Sequence, residues 1–293
     1  MTTKTEKRRD RSPYSFANIN LLGKCNVDCF FCLGKDLAEQ FGKFNHINTH
    51  FSEWRNFDTL IDECRLYDIR KIYLTGQNVD ALQYKYIPEL ICYLREQGFT
   101  TVGCRTNGML WDRQIPASWG MPRRLVTLFD TVSYSVHTLQ QHTQNIIFGG
   151  RQWGVPDWKK VFEMTEPARV RAAIVLNRYN HHEMFELLNY LADTNVDYIQ
   201  IRKICTDTRL SEHEADMAIF EEWADGFDKT MGGPVCKFED APQYMWAGKR
   251  VSIWRTVGTS VNSLNYFTDG TLSNEYFVIE GYSKQNNLPL ISL

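Results

Sequence analysis

The chain has 293 residues, 8 cysteines and a formal net charge of −2, with 43% hydrophobic and 23% charged residues. That balance fits one large α/β domain, or a domain plus an appendage, with a sizeable core. It leaves no general nucleic-acid footprint, and no window approaches the roughly 20 apolar residues that span a bilayer.

The basic start, with Lys4, Lys7, Arg8, Arg9 and Arg11, reads as a solvated, flexible tail over residues 1–15, without the apolar stretch of a secretory signal. The expected location is the cytosol, where thiols stay reduced and grouped cysteines point to metal or catalysis rather than to disulfides. Phe16 to Leu22 reads as a first strand that runs straight into Cys25, Cys29 and Cys32. Ser52 then reads as the N-cap of a helix whose apolar stripe is Trp54, Phe57, Leu60, Ile61, Cys64 and Tyr67. Lys71 to Leu74 is a second strand, ending at the turn residues Thr75-Gly76-Gln77-Asn78. Ile87 to Gln97 is a helix, and Phe99 to Arg105 a third strand ending at Thr106-Asn107-Gly108. Asp130 to Val136 forms a fourth strand, closed by Ser135 and His137, and Val170 to Leu176 a fifth, followed by Asn177. Asn180 with Glu183 reads as a capping box for a helix buried through Met184, Leu187, Leu188 and Leu191. Tyr198 to Arg202 is a sixth strand, with Gln200 and Arg202 on one face.

Strands alternating with helical patterns predict a parallel sheet, either doubly wound or a complete or partial barrel, with function at the C-terminal strand ends. Polar Gln200 and Arg202 on a strand of such a sheet favour a barrel lumen around a polar ligand, because both faces of a parallel sheet are normally apolar. From about Thr206 the pattern changes to a long helix, Ser211 to Met231, and then to an irregular aromatic segment with a hairpin around Asp269-Gly270. This part, residues 206–293, is expected to cap the barrel or extend its edge.

The spacing Cys25-x3-Cys29-x2-Cys32 is the most specific signal in the chain. A zinc site would need a fourth ligand, for which His46 or His50 is available. Iron–sulfur fits better: a cubane normally takes four thiolates, and a supply of three leaves one iron open for a substrate or cofactor. Cys64, Cys92, Cys104, Cys205 and Cys236 are scattered singly and read as small buried hydrophobes.

The stretch Cys25-Asn-Val-Asp-Cys29-Phe-Phe31-Cys32 resembles the cluster motif of the radical S-adenosylmethionine (radical SAM) superfamily, in which an aromatic residue precedes the last cysteine, as Phe31 does here. The resemblance covers roughly residues 16–205. It implies a partial (β/α)6 TIM-type barrel, a [4Fe–4S] cluster on Cys25, Cys29 and Cys32, and S-adenosylmethionine on its open iron. Thr75, Gly76, Gln77 and Asn78 stand where the family has a Gly-Gly-Glu-Pro segment that holds the methionine amino group; only Gly76 keeps the usual residue. Asn107, Ser135 and, by looser alignment, Arg151 are the other carried-over cofactor residues. His137, Asn177, Gln200 and Arg202 are the expected substrate lining. The implied partners are a small biosynthetic substrate (a sugar, nucleoside or amino-acid derivative, with a peptide as the alternative) and an external flavodoxin- or ferredoxin-type electron donor, with no membrane and no nucleic acid. A non-catalytic zinc or electron-carrying protein is the competing class.

Overall fold

The computed structural model describes residues 14–36, 43–115, 123–206, 209–238, 241–255 and 263–273. Residues 1–13 of the expected tail lie outside that range, as does the part of the predicted hairpin segment beyond Ser273. Tyr14 packs edge-on against Tyr67, their ring centres 5.1 Å apart.

Six of the strands are β1 (Phe16–Leu22), β2 (Lys71–Gln77), β3 (Thr101–Thr106), β4 (Thr131–Ser135), β5 (Arg169–Val175) and β6 (Tyr198–Arg202). They lie side by side in chain order and pair in parallel throughout. A doubly wound sheet reverses its strand order at a switch point; this order does not reverse, so the winding is that of a barrel, left open.

The C-terminal segment is less irregular than its sequence suggests. It forms β7 (Cys236–Phe238), β8 (Ala241–Trp246), β9 (Lys249–Trp254), β10 (Ser263–Phe267) and β11 (Leu272–Ser273), all in the same sheet. β9 joins β6 in parallel and β10 joins β1 in parallel, so the segment extends both edges. β8 turns back on β9 through Ala247-Gly248, both at positive φ (45° and 83°), which is the tight turn favoured between right-twisted strands. An alanine at the first of those positions gives no turn signal, which hid the hairpin. The hairpin expected at Asp269-Gly270 is present as β10 and β11.

The helices are α1 (Phe57–Leu66), α2 (Ile87–Glu96), α3 (Gln141–Ile147), α4 (Trp158–Glu163), α5 (Met184–Ala192) and α6 (Leu210–Met231). The connection from β3 to β4 carries only a 3-10 turn, Leu125–Leu128, among the described residues. Two expected caps are corrected. Ser52 lies in a separate 3-10 turn, Phe51–Glu53, and α1 starts after Asn56, whose φ is 55°. Asn180 and Glu183 form no capping box, because each side chain has a tertiary partner. The Asn180 amide donates to the His137 and Val175 carbonyls, while Glu183 accepts from the Thr138 hydroxyl. Two of the single cysteines, Cys92 and Cys236, are exposed rather than buried, and Cys205 is half-buried.

The sheet has two unlike faces, set by the period-two alternation of strands. Ile19, Leu21, Ile72, Leu74, Val132, Ile174, Ile199 and Ile201 are buried on one face. That face forms one core with Leu60, Leu90, Leu94, Leu187, Leu188 and Leu191 from the helices. The opposite face, the lumen, carries Asn18, Asn20, Tyr73, Arg105, Ser133, Arg171, Gln200, Arg202, Ser252 and Asn265 in register. Along β5 the lumen residues Arg171, Ala173 and Val175 are half-exposed while the residues between them are buried. A barrel interior is ordinarily filled with branched apolar side chains; here its lining is polar, with Asn18, Asn20, Gln200, Ser252 and Asn265 buried.

The stability of the fold therefore resides on the outer face. Ile201→Ala is expected to cost about 2–5 kcal/mol, and Val175→Ala on the lumen face less than half as much. Urea unfolding of the two variants measures the contrast, and equal losses would mean that the faces have been misassigned.

Candidate active site

β1 ends at Leu22, and the chain then wraps the three cysteines into a short loop. The Cys32 N–H donates to the Cys29 carbonyl at 3.1 Å, and the Lys35 N–H to the Cys32 carbonyl at 3.0 Å. The Gly34 N–H points at the Cys32 sulfur, 3.3 Å away. All three thiols are half-buried and free. Burial pushes Cys25 up to about 12, with Asp80 and Cys32 adding to the effect. Cys29 and Cys32 are also raised by burial, and for Cys29 the neighbouring thiols Cys32 and Cys25 contribute next. Such a trio stays protonated until a cationic group takes it, and binding then releases protons.

The loop is fastened from three directions. On the β2–β3 side, the buried Asp80 carboxylate accepts from the Thr106 hydroxyl and from the backbone N–H groups of Leu82 (2.9 Å) and Asn107 (2.6 Å). Asn107 then donates to Asn26 at 2.8 Å and towards the Cys25 sulfur at 3.7 Å. Gln83 accepts from the Asn26 N–H and donates to the Lys24 carbonyl. From the segment after α3, the Phe148 carbonyl accepts from the Asp28 N–H, and Trp153 donates to the Asn26 carbonyl at 3.1 Å. At the start of α6, Arg209 donates to the Phe30 and Cys32 carbonyls, each at 2.8 Å, and pairs with Asp36.

Two glycines allow the close approaches. A Cβ on Gly34 would lie 2.4 Å from the Asn78 nitrogen, so the cysteine loop lies directly on the turn after β2. A Cβ on Gly149 would lie 2.5 Å from the Asp28 carbonyl oxygen. Gly76 is confined as well, since its Cβ would meet the Val79 carbonyl at 1.9 Å.

The other expected residues fall as follows. Phe31 is buried and meets His137 edge-on at 5.1 Å. Thr75 is buried, and Gln77, also buried, donates to Asn20 at 3.3 Å. Asn78 takes a φ of 56° at the turn. β2 runs through Gln77, so Thr75-Gly76-Gln77 are strand residues and the turn begins later than expected. Ser135 ends β4 on the lumen face, half-buried. Arg151 is exposed beside the segment that touches Asn26 and Asp28. His137 is buried, and its Nδ1 accepts the Val175 N–H at 3.2 Å, which fixes the proton on Nε2. Burial lowers His137 to about 4, so the ring is neutral near pH 7. Asn177 spends its amide on the turn after β5, donating to Val175 and accepting from the Tyr179 N–H. Asn177 is fully buried in that turn. Gln200 is buried on the lumen face, and Arg202 stacks its guanidinium 5.7 Å from the centre of the Trp254 ring.

Neither histidine proposed for zinc is drawn to the cysteines: His46 bonds Thr268 and His50 bonds Ser52. Among the described residues no three His, Cys, Asp or Glu side chains converge as one metal ion requires. A cubane, whose thiolates bind different irons, asks for a wider spread. Asp80, Gln83 and Arg209 were not singled out from the sequence. For the first two a signal was present, since Asp80-x-x-Gln83 is a capping-box pattern and both of its bonds form.

No protein-family model matches the chain. Two curated relatives are each named "Probable GTP 3′,8-cyclase". One, from Methanococcus maripaludis, is 25% identical over 145 residues, which is 48% of this chain and 46% of that protein. The other, from Methanothermobacter marburgensis, is 22% identical over 233 residues, 75% of this chain and 70% of that protein. The chain thus spans about half the length of the first relative. Among solved structures, SuiB from Streptococcus suis bound to S-adenosylmethionine superposes with a TM-score of 0.56 at 10% identity, over 89% of this chain and 59% of that one. anSMEcpe with bound AdoMet gives 0.52 at 10% identity, over 90% and 74%. At such identities the superpositions speak for the fold, an open barrel-type sheet. Taken with the cysteine spacing, the consecutive parallel strands and the sequence relatives, they support the resemblance to the radical S-adenosylmethionine superfamily of enzymes.

Proposed function

We propose that this chain uses a [4Fe–4S] cluster to cleave S-adenosylmethionine reductively to a 5′-deoxyadenosyl radical that abstracts hydrogen from a small biosynthetic substrate. The observation that carries the reading is the cysteine loop itself, three half-buried thiols lying directly on the turn after β2 at the mouth of a polar lumen. The donor set fits the group: three thiols of raised pKa, a backbone N–H on Cys32, and the Asn107 amide near Cys25. Cys25, Cys29 and Cys32 would hold the cluster, leaving one position for the nucleotide. When bound, the group supplies the electron that splits the sulfonium into methionine and a 5′-deoxyadenosyl radical.

The protein's own work is positioning and enclosure. Gly76 and Asn78 offer backbone to the methionine amino group, with Thr75 and Gln77 shaping that edge. Ser135 and Arg151 are assigned to the nucleotide from the β4 side. Phe31, braced by the neutral ring of His137, excludes water beneath it. Gln200 and Arg202 are assigned to the substrate, and a lumen lined by polar side chains suits a small polar molecule. The exposed loop residues Lys24 and Asp28 leave the thiols within reach of an external flavodoxin- or ferredoxin-type donor. Eight free cysteines suit a reducing cytosol, and among the described residues no helix is long and apolar enough to cross a membrane.

Anaerobic reconstitution is expected to give a brown protein with about four irons per chain, and dithionite plus S-adenosylmethionine should release 5′-deoxyadenosine. Cys29→Ala should lose both the colour and the cleavage. A colourless, zinc-loaded chain would sink the proposal.

The His137 ring gives a pH signature. Its pKa is lower in the fold than in the unfolded chain, so the unfolded state binds more protons between the two values. Stability should therefore be full above about pH 6.5 and fall by roughly 2–3 kcal/mol as pH drops towards 4. Nitrogen-15 NMR should find the ring still neutral at about pH 5.5; a resonance that titrates near 6.5 would refute the buried, neutral assignment.

A further inference from the structure

Asn26, which follows Cys25 in the cysteine loop, is fixed on almost every side. Its backbone N–H donates to the Gln83 Oε1 at 3.1 Å. Its carbonyl accepts from the Trp153 indole N–H, also at 3.1 Å. Its side-chain oxygen accepts from the Asn107 amide at 2.8 Å and lies 3.5 Å from the Cys25 sulfur, whose thiol donates to it. One group is left over. The side-chain Nδ2 is shut off from solvent and has no hydrogen-bond partner among the described residues.

The two ends of an amide are told apart by what they bond, and here the network leaves one arrangement. The Asn107 Oδ1 accepts the Met109 N–H at 2.9 Å, so Asn107 turns its Nδ2 towards Asn26. Two amide donors cannot bond each other, so Asn26 answers with its oxygen. Asn107 is itself anchored, because its backbone N–H donates to the buried Asp80 carboxylate at 2.6 Å. Turning Asn26 over to relieve its Nδ2 would break the bond from Asn107. The surrounding frame therefore imposes the unpaired donor.

An orphan held this firmly in a buried place marks a missing acceptor. Sulfur is the acceptor nearest to hand. The other end of the same amide is 3.5 Å from Cys25, and Asn107 reaches towards that sulfur at 3.7 Å. The residues assigned to the nucleotide, Gly76, Asn78 and Ser135, stand elsewhere, on β2, the turn after it and β4.

We propose that the Asn26 side-chain amide donates an N–H to a cluster sulfur beside Cys25 and so raises the reduction potential of the cluster. Hydrogen bonds to the sulfurs are one of the levers that set such potentials. A donor stabilises the more negative, reduced state more than the oxidised one, because hydrogen bonds strengthen with the charge of the acceptor. The inference rests on the [4Fe–4S] reading above and extends it to a residue that is not a ligand.

The test uses the reconstituted chain with nitrogen-15 in its asparagine side-chain amides, reduced with dithionite and without S-adenosylmethionine. Electron spin-echo modulation should show a nitrogen-15 coupling to the cluster. Asn26→Asp keeps an oxygen for Asn107 but has no donor, and should lose that coupling. Asn26→Ala removes the donor without adding charge. Its cluster should be about tenfold harder to reduce at equilibrium, a midpoint lower by about 59 mV for one electron. The proposal is overturned by a reduced cluster without the coupling, by a coupling unchanged in Asn26→Asp, or by a midpoint in Asn26→Ala that is level or higher. A coupling that appears only after S-adenosylmethionine is added overturns it too, since the acceptor would then be the nucleotide carboxylate. The coupling is read in the unsubstituted chain, so a variant that fails to take up iron leaves that result standing. A chain that binds zinc and no iron removes the cluster reading and this inference together. A cluster that cleaves S-adenosylmethionine yet shows no coupling removes this inference alone.

Discussion

Three thiols side by side in a half-buried loop resist ionisation, because each thiolate would be both desolvated and repelled by its neighbours. A loop with that burden keeps its shape only if its backbone is held from outside. Here the holding groups come from three places in the sequence: the segment after β2 and β3 through Asp80, Gln83 and Asn107, the segment after α3 through Phe148 and Trp153, and Arg209 at the start of α6. Each places a polar group on a main-chain atom of the loop. Gly34 and Gly149 then let that loop come within contact of its supports, where any side chain would force it away. The partial barrel serves this arrangement. Consecutive parallel strands bring the ends of β1, β2, β3, β4 and β6 to one rim, and the supports emerge from the segments that follow them.

The same sheet carries a second constraint, an unusual division between its faces. Parallel strands are ordinarily apolar on both sides, yet the lumen side here is dominated by Asn, Ser, Tyr, Gln and Arg. Those groups need partners, and the strands added from the C-terminal segment supply several. Asn265 of β10 accepts from Asn18 at 2.8 Å, and Ser252 of β9 bonds both Tyr198 and Trp254. The segment therefore completes the polar face at both edges while its apolar residues, such as Leu264, Val251 and Ile253, extend the core on the other side.

How much of this the sequence disclosed follows from the kind of signal each feature leaves. β1 and β6 are legible to the residue because their runs are long, β-rich and sharply bounded. The cysteine loop is legible because its spacing is local. Features built from distant residues were not: Arg209 acts on a loop 177 residues earlier, and nothing in its neighbourhood announces that. Ser52, Asn180 and Glu183 carry real capping chemistry, but tertiary partners or a neighbouring turn took it. Arg105 and Arg171 were passed over because each is a single basic residue in an ordinary strand. Only the register across β3, β4 and β5 puts them on one wall.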